Sequence, residues 1–279
     1  MHNPTKRPLM VDVSKHNQRS WDKKSAAGES PWVQPVTPGE IAAARSGDWQ
    51  VILTPTKSVP RSWFGDLKNK TLLGLASAGG QQIPIFYAAG AVVTSFDQSS
   101  EQLNKDAQVA QREGLAIECI QGDMADLSVF DDASFDIIFH PVSNIFAADI
   151  RPVWQHCARI LRPGGRLLSG FMNPDFYLFD HWAIEDGGPL EVRFKLPYAD
   201  LTHVDPATLE ARMAEGEALE FSHSLDEQIG GQLAAGLVVA GFYEDRWSEE
   251  ATPLNSYMAT SMATLAIKPA VGSELMPDV

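Results

Sequence analysis

The sequence predicts an α/β protein with a doubly wound, mostly parallel sheet of seven strands, the C-terminal strand antiparallel. Three observations predict it. Between Thr71 and Met172, short apolar runs alternate with helix-compatible segments, the signature of a parallel sheet covered on both faces. The run Leu72-Leu73-Gly74-Leu75 enters a cluster of tiny residues, Ala76-Ser77-Ala78-Gly79-Gly80, as a strand does at a tight turn into a helix. The chain then ends with two strands joined by an irregular link without a helix, which fits an antiparallel hairpin at the sheet edge.

In order, the strands are expected at Thr71–Ala76, Val92–Asp97, Ile117–Gln121, Phe135–His140, Arg166–Phe171, Tyr243–Ser248 and Met258–Lys268. Helices are expected at Gln81–Ala89, Ser99–Glu113, Asp149–Leu161 and Leu225–Ala240. Ser99-Ser100-Glu101-Gln102 opens the second of these and Gly114 stops it. The turns Asp131-Asp132-Ala133-Ser134 and Arg162-Pro163-Gly164-Gly165 each precede a strand, and Gly164 and Gly165 are structural. Residues 71–172 and 223–268 are therefore read as one core.

The remaining segments elaborate that core. Residues 1–70 hold Trp21, Trp32, Trp49 and Trp63 but little periodicity, and read as an arm packing over something else. A short helix is expected from Pro38 to Arg45, with Thr37 as N-cap and Glu40 completing a capping box. Lys6 to Lys24 reads as a solvated tail, with closure of His16 and Asn17 over the site as the alternative. Residues 173–222 read as an insertion over the site, with Leu190–Leu196 alternating as a half-exposed strand that Ala218–Ser222 could pair. Residues 269–279 read as a loose tail.

Composition narrows the function classes. The 279 residues carry a net charge of −14, so no overall field favours a nucleic-acid backbone. Hydrophobic content of 44% and charged content of 21% are ordinary for a soluble globular chain. No apolar leader or 18-residue apolar run is present, so a cytoplasmic location is expected. Cys119 and Cys157 form no C-x-x-C pair; both are expected to be buried free thiols, and no metal site is expected.

Right-handed crossovers put Ala76, Asp97, Gln121 and His140 along one sheet edge, which is the expected site. Tiny residues at the first turn let the backbone approach a ligand, with the N–H groups of the next helix facing it. Asp97 ends its strand seventeen residues after Gly80, where a βαβ unit places an acid to grip two ribose hydroxyls. The pair of features points to a nucleoside-containing cofactor.

The order of segments resembles a class I S-adenosylmethionine-dependent methyltransferase, with a Rossmann-like fold. Leu72–Gly80 lies where that family has a strand running into G-x-G-x-G, and Asp97 falls on its ribose acid. Gln121-Gly122-Asp123-Met124 resembles the motif whose acid meets the adenine amino group, and Phe135–His140 resembles the fourth motif. Leu161-Arg162-Pro163-Gly164-Gly165-Arg166-Leu167 matches the family's turn into strand five. The turn Leu75-Ala76-Ser77-Ala78-Gly79-Gly80-Gln81-Gln82 and Pro141-Val142-Ser143-Asn144 resemble a narrower bacterial group of uncharacterised methyltransferase-like proteins.

The resemblance implies S-adenosyl-L-methionine as cofactor, contacted by Gly74, Ala76, Ser77, Ala78, Gly80, Gln81, Asp97, Gln98, Asp123, Met124 and His140. The family's first-strand acid is replaced by Gly74, with Gln81 and Gln82 as substitute donors, and Ala76 and Ala78 replace two glycines. Met124 would pack on the adenine or fill a gap. His140 is a candidate general base, or a strand-end residue bonded to backbone or cofactor; Asn144 would orient an acceptor or form a turn. The acceptor is expected to be a small molecule, with nucleic acid and membrane excluded and the oligomeric state open. The competing readings are a non-catalytic nucleoside-binding regulator and an NAD-dependent oxidoreductase; the lack of a clean G-x-G-x-x-G speaks against the latter.

Overall fold

The computed structural model describes residues 11–28, 30–248 and 250–270. The expectations for residues 1–10 and for the tail 271–279 lie outside the described residues. Seven strands form one sheet: β1 (Thr71–Leu75), β2 (Val92–Asp97), β3 (Glu118–Gln121), β4 (Phe135–His140), β5 (Leu161–Met172), β6 (Val238–Asp245) and β7 (Ser261–Ile267). Their order is β3-β2-β1-β4-β5-β7-β6, with β1 to β5 parallel and β7 antiparallel to both β5 and β6. The order reverses between β1 and β4, so the crevice for a ligand opens at their C-terminal ends.

Nine α-helices are described: α1 (Val13–Ala27), α2 (Pro38–Arg45), α3 (Gln82–Ala88), α4 (Ser100–Glu113), α5 (Arg151–Ile160), α6 (His181–Glu185), α7 (Asp200–His203), α8 (Pro206–Glu215) and α9 (Gly231–Ala234). Successive strand residues feed opposite faces of the sheet. Leu72, Ile137, Leu168 and Leu265 pack with α2, α3 and α4 on one face. Leu73, Ile138, Leu167 and Ala266 pack with α5 on the other. Both faces are covered, as the apolar runs of the strands require.

Local signals set the ends of these elements. Ser99 accepts from the N–H of Gln102 at 3.2 Å and Gly114 closes α4 in the left-handed region at φ 67°. Thr37 and Glu40 form the reciprocal capping box of α2. The turn Arg162–Gly165 bulges out of β5, so Phe135 pairs with Leu161 and Ile137 with Arg166.

Several expectations are corrected. Residues 13–24 are not a solvated tail but most of α1, with Asn17 fully buried. Much of the arm belongs to the core: Trp49 and Trp63 pack in the same apolar layer as Ile41, Phe86 and Phe139. Leu190–Leu196 and Ala218–Ser222 do not pair with each other. Val192 bridges Phe179 and Phe221 bridges Ala199, and α7 and α8 separate the two segments along the chain. The helix expected at Leu225–Ala240 is a π-turn, Asp226–Gly230, followed by α9; Gly236 at φ 86° ends it and Val238 already belongs to β6. Cys157 is buried as expected, whereas Cys119 is exposed on the edge strand β3.

Candidate functional site

A cavity of about 830 Å³ opens along the C-terminal edge of the sheet. Ala76 after β1, Asp97 at the end of β2, Gly122 after β3 and Pro141 after β4 all border it. Residues 173–222 and α1 close the opposite side through Phe176, Tyr177, His181, Glu220, Trp21 and Lys24.

The first turn owes its shape to a few contacts. The N–H of Ala76 donates to the Phe96 carbonyl at 2.8 Å, and Ala76 takes φ 48° although it carries a Cβ. Gly79 and Gly80 follow at φ 127° and 76°, where a Cβ would stand 2.8 Å from Gln102 Oε1 and 2.9 Å from Pro35 Cβ. Behind the turn, the buried Asp106 of α4 accepts from the Gly80 N–H at 2.7 Å and from Ser95 Oγ at 2.6 Å. Burial pushes its carboxyl up to about 7. The sequence reading passed over Asp106. Its signal was present, since a carboxylate interrupts the apolar-facing positions Leu103, Val109 and Ala110 of an amphipathic helix.

Asp97 is half-buried in the cavity wall. One carboxylate oxygen accepts from Ser99 N–H at 2.9 Å and the other from Ala78 N–H at 3.3 Å. Burial still pushes its carboxyl up to about 6. No cation pairs with it among the described residues, so it keeps free lone pairs toward the cavity.

The cavity gathers some of the expected residues and leaves others out. Ala76, Ser77, Ala78, Gln81, Asp97, Gln98 and Met124 border it. Gly74, Gly80, Asp123, His140 and Asn144 do not. Gly74 makes room for α3, since a Cβ there would lie 2.0 Å from Ile83 Cδ1. Gly80 is engaged by Asp106. Asp123 accepts from Ser14 Oγ of α1 at 2.6 Å. Gln81 and Gln82 reach the cavity, but Gln81 Nε2 donates to the Pro31 carbonyl at 2.6 Å and Gln82 Oε1 accepts from Ile52 N–H at 2.5 Å.

His140 is fully buried and sealed in. Its Nδ1 lies 3.0 Å from the Leu75 carbonyl, which can only accept, so Nδ1 carries the proton. Its Nε2 lies 2.8 Å from the Asn144 amide, which in turn meets the Gln228 amide at 2.9 Å. Burial lowers the pKa of the imidazole, keeping it neutral. Neither His140 nor Asn144 reaches the cavity, so the expectation of a base or an acceptor contact there is corrected: they brace the end of β4 from inside.

The insertion contributes residues that the sequence reading did not single out. Tyr177 Oη donates to Glu220 Oε2 at 2.8 Å, and His181 Nε2 lies 3.8 Å from the same oxygen. Burial pushes the Glu220 carboxyl up to about 7. These residues belong to no local motif and meet only through the packing of Met172, Tyr177, Ile184 and Tyr198.

A family model described as a methyltransferase domain matches residues 73–169. Over 253 residues, 91% of this chain and 97% of the relative, the sequence is 45% identical to an uncharacterised methyltransferase of Bacillus subtilis, YbaJ. The chain belongs to the class I S-adenosylmethionine-dependent methyltransferases. Two solved structures are similar to this methyltransferase in fold. One is the 1,6-didemethyltoxoflavin-N1-methyltransferase of Burkholderia thailandensis, at 14% identity and TM-score 0.56 over 96% of this chain and 93% of that one. The other is the geranyl diphosphate C-methyltransferase of Streptomyces coelicolor, at 13% identity and TM-score 0.58 over 93% and 99%. Both hold S-adenosylhomocysteine.

S-adenosylmethionine is the cofactor of this methyltransferase. The residues present fit it. Ser77 Oγ and Gln102 Oε1 are buried without a hydrogen-bond partner, on residues that border the cavity, and Asp97 has acceptor capacity to spare. Phe96 and Met124 supply an apolar wall beside them. Among the described residues no helix is long and apolar enough to cross a membrane.

Proposed function

We propose that this methyltransferase acts on a small organic acceptor, held between the C-terminal edge of the sheet and the wall formed by residues 173–222. The observation that carries this reading is the continuity of the cavity. One volume of about 830 Å³ runs from Asp97 to the Tyr177–Glu220 wall, within the roughly 300–1,000 Å³ of small-molecule sites. The two structures of similar fold act, by their names, on 1,6-didemethyltoxoflavin and on geranyl diphosphate, which supports a small acceptor.

In this reading Asp97 receives the two ribose hydroxyls, with Gln98 beside it. Ser77 and the Ala76–Ala78 backbone meet the methionine part, and Met124 and Phe96 flank the adenine. The sulfonium supplies an already activated methyl group, so alignment with the acceptor provides much of the acceleration. Pro141, Val142 and Ser143, held by the buried His140–Asn144 pair, form the floor between the cofactor and acceptor ends.

The test is calorimetric binding of S-adenosylmethionine to the wild type and to Asp97→Ala. The substitution removes charge-assisted hydrogen bonds worth about 1.5–3 kcal/mol each, so affinity should fall at least tenfold with the fold intact. An unchanged dissociation constant would put the ribose elsewhere. Transfer of labelled methyl into a small-metabolite extract then identifies the acceptor.

A further inference from the structure

The wall opposite Asp97 holds a carboxylate, Glu220, that forms no ion pair with a lysine or arginine among the described residues. Glu220 keeps 23% of its side chain open to the cavity. It receives one strong donor, Tyr177 Oη at 2.8 Å, and an ionised carboxylate has room for several more. The other groups facing it come from three elements. Lys24 of α1 is committed to Glu217 at 2.8 Å. His181 of α6 stands 3.8 Å away, its imidazole held neutral by burial. Glu185 of α6 adds a like charge, and Asp200 of α7 accepts the backbone N–H of Glu220 at 2.7 Å. A second polar group of this wall is unsatisfied. His181 is 8% exposed and borders the cavity, yet its Nδ1 is buried without a hydrogen-bond partner. The surroundings are otherwise apolar, through Met172, Phe176, Ile145 and Val142.

We propose that Glu220, oriented by Tyr177 and accompanied by His181, binds the methyl acceptor and takes its proton, and that the acceptor is a small, largely apolar molecule presenting one N–H or O–H group. This rests on the methyl-transfer reading. The Glu220 carboxylate takes the proton from the acceptor nitrogen or oxygen, and the freed lone pair bonds the methyl carbon. The carbon–sulfur bond breaks with its electron pair left on sulfur, so charge and atoms balance. A carboxyl that titrates near 7 suits this task, because it is partly ionised at neutral pH yet basic enough to accept a proton. An anionic acceptor would meet Glu220 and Glu185 in the wall, where Lys24 is already paired with Glu217.

The experiment uses the full chain saturated with S-adenosylhomocysteine and three calorimetric probes at pH 6 to 8: 2-phenylethylamine, 4-ethylphenol and phenylacetate. The amine or the phenol should bind at least tenfold more tightly than phenylacetate, and either result supports a donor-bearing acceptor. Binding of the amine should strengthen as pH rises through about 7, following ionisation of Glu220. Glu220→Gln should weaken the donor probe at least tenfold and flatten this pH profile, while leaving S-adenosylhomocysteine affinity within twofold. Tyr177→Phe keeps the carboxylate but removes its orienting donor; it should give a smaller loss, and it carries the test if circular dichroism shows Glu220→Gln to be unfolded. Equal binding of phenylacetate, no binding of either donor probe at millimolar concentration, or an unchanged profile in the variants would overturn the inference. Failure of S-adenosylhomocysteine itself to bind the wild type would instead overturn the methyl-transfer reading.

Discussion

At the scale of single residues, two positions of the first turn depart from the family pattern in opposite senses. Gly74 stands where the resemblance places the family's first-strand acid, and its hydrogen leaves the space that Ile83 Cδ1 occupies. Gly74→Ala should therefore cost about 1–3 kcal/mol in a urea unfolding titration, the usual penalty for overpacking a filled core. Ala76 stands where the resemblance places a glycine, yet its backbone adopts the left-handed conformation at φ 48°. A left-handed L-residue costs roughly 1–2 kcal/mol, while glycine adds about 0.5–1 kcal/mol of unfolded-state entropy. Ala76→Gly should thus leave stability unchanged or raise it by up to about 1 kcal/mol. A clear loss would mean that the methyl group packs usefully. Replacing one residue does not move the turn, because Gly79, Gly80 and Asp106 fix it from the other side.

At the scale of elements, α1 ties together parts of the molecule that the sheet does not join. Ser14 reaches Asp123, Asp22 accepts from Ser99 Oγ at 2.6 Å, and Lys24 pairs with Glu217. Asn17 donates to the carbonyls of Phe146 and Leu219 at 2.9 and 3.0 Å and accepts from the Leu219 N–H at 2.7 Å. Asn17→Ala would leave those backbone groups buried and unpaired at about 1–3 kcal/mol apiece, so α1 should undock instead. Trypsin should then cut at Arg19 and Lys23 at least tenfold faster, with the circular dichroism of the core preserved. In the wild type the same cuts should slow when S-adenosylhomocysteine is bound, and equal rates would argue that α1 is fixed independently of the cavity. None of this was legible in the sequence, because α1 is polar enough to read as solvated and its buried face is recognised only by distant backbone groups. The strands, α4 and the Thr37–Glu40 box were legible since their signals are local. Trp49 and Trp63 were misread for the opposite reason: aromatic residues without periodicity look like a cover when they in fact complete a core layer. In the site, the strand-end residues Ala76 and Asp97 could be placed from topology, while the Tyr177–His181–Glu220 grouping depended on tertiary packing of the insertion.

For the whole molecule, three enclosed acids set the response to pH. Burial raises Asp97 to about 6 and Asp106 and Glu220 to about 7, from 3.8 for the aspartates and 4.5 for the glutamate. The folded chain therefore binds more protons than the unfolded one above pH 4, and these groups make stability fall as pH rises. The buried imidazoles of His140, His181 and His223 have lowered values, so they act in the opposite direction, but only below their unfolded value of 6.5. Asp136, Asp149 and Asp245 are held below 3.8 and act at lower pH still. From pH 6.5 to 8 the raised acids act alone, and the ligand-free protein should lose about 1–2 kcal/mol over that interval. A thermal melt should place its maximum near pH 6.5 and fall by a few degrees at pH 8. Asp106→Asn should flatten part of this slope, and a melting temperature that rises steadily to pH 8 would contradict the assignment.

The reach of Asn17 also sets an order of events during synthesis. Its bonds run to Phe146 and Leu219, which lie 129 and 202 residues further along the chain. At roughly 5–20 residues per second, α1 leaves the ribosome about 10–40 s before its last partner is made. The first helix among the described residues is thus among the last to dock. Its polar sequence, Val13-Ser14-Lys15-His16-Asn17-Gln18-Arg19-Ser20, suits it to wait in water without attracting other chains. The cavity acquires its cover only after residue 219 has been made, when strands β1 to β5 beneath it already exist in the chain.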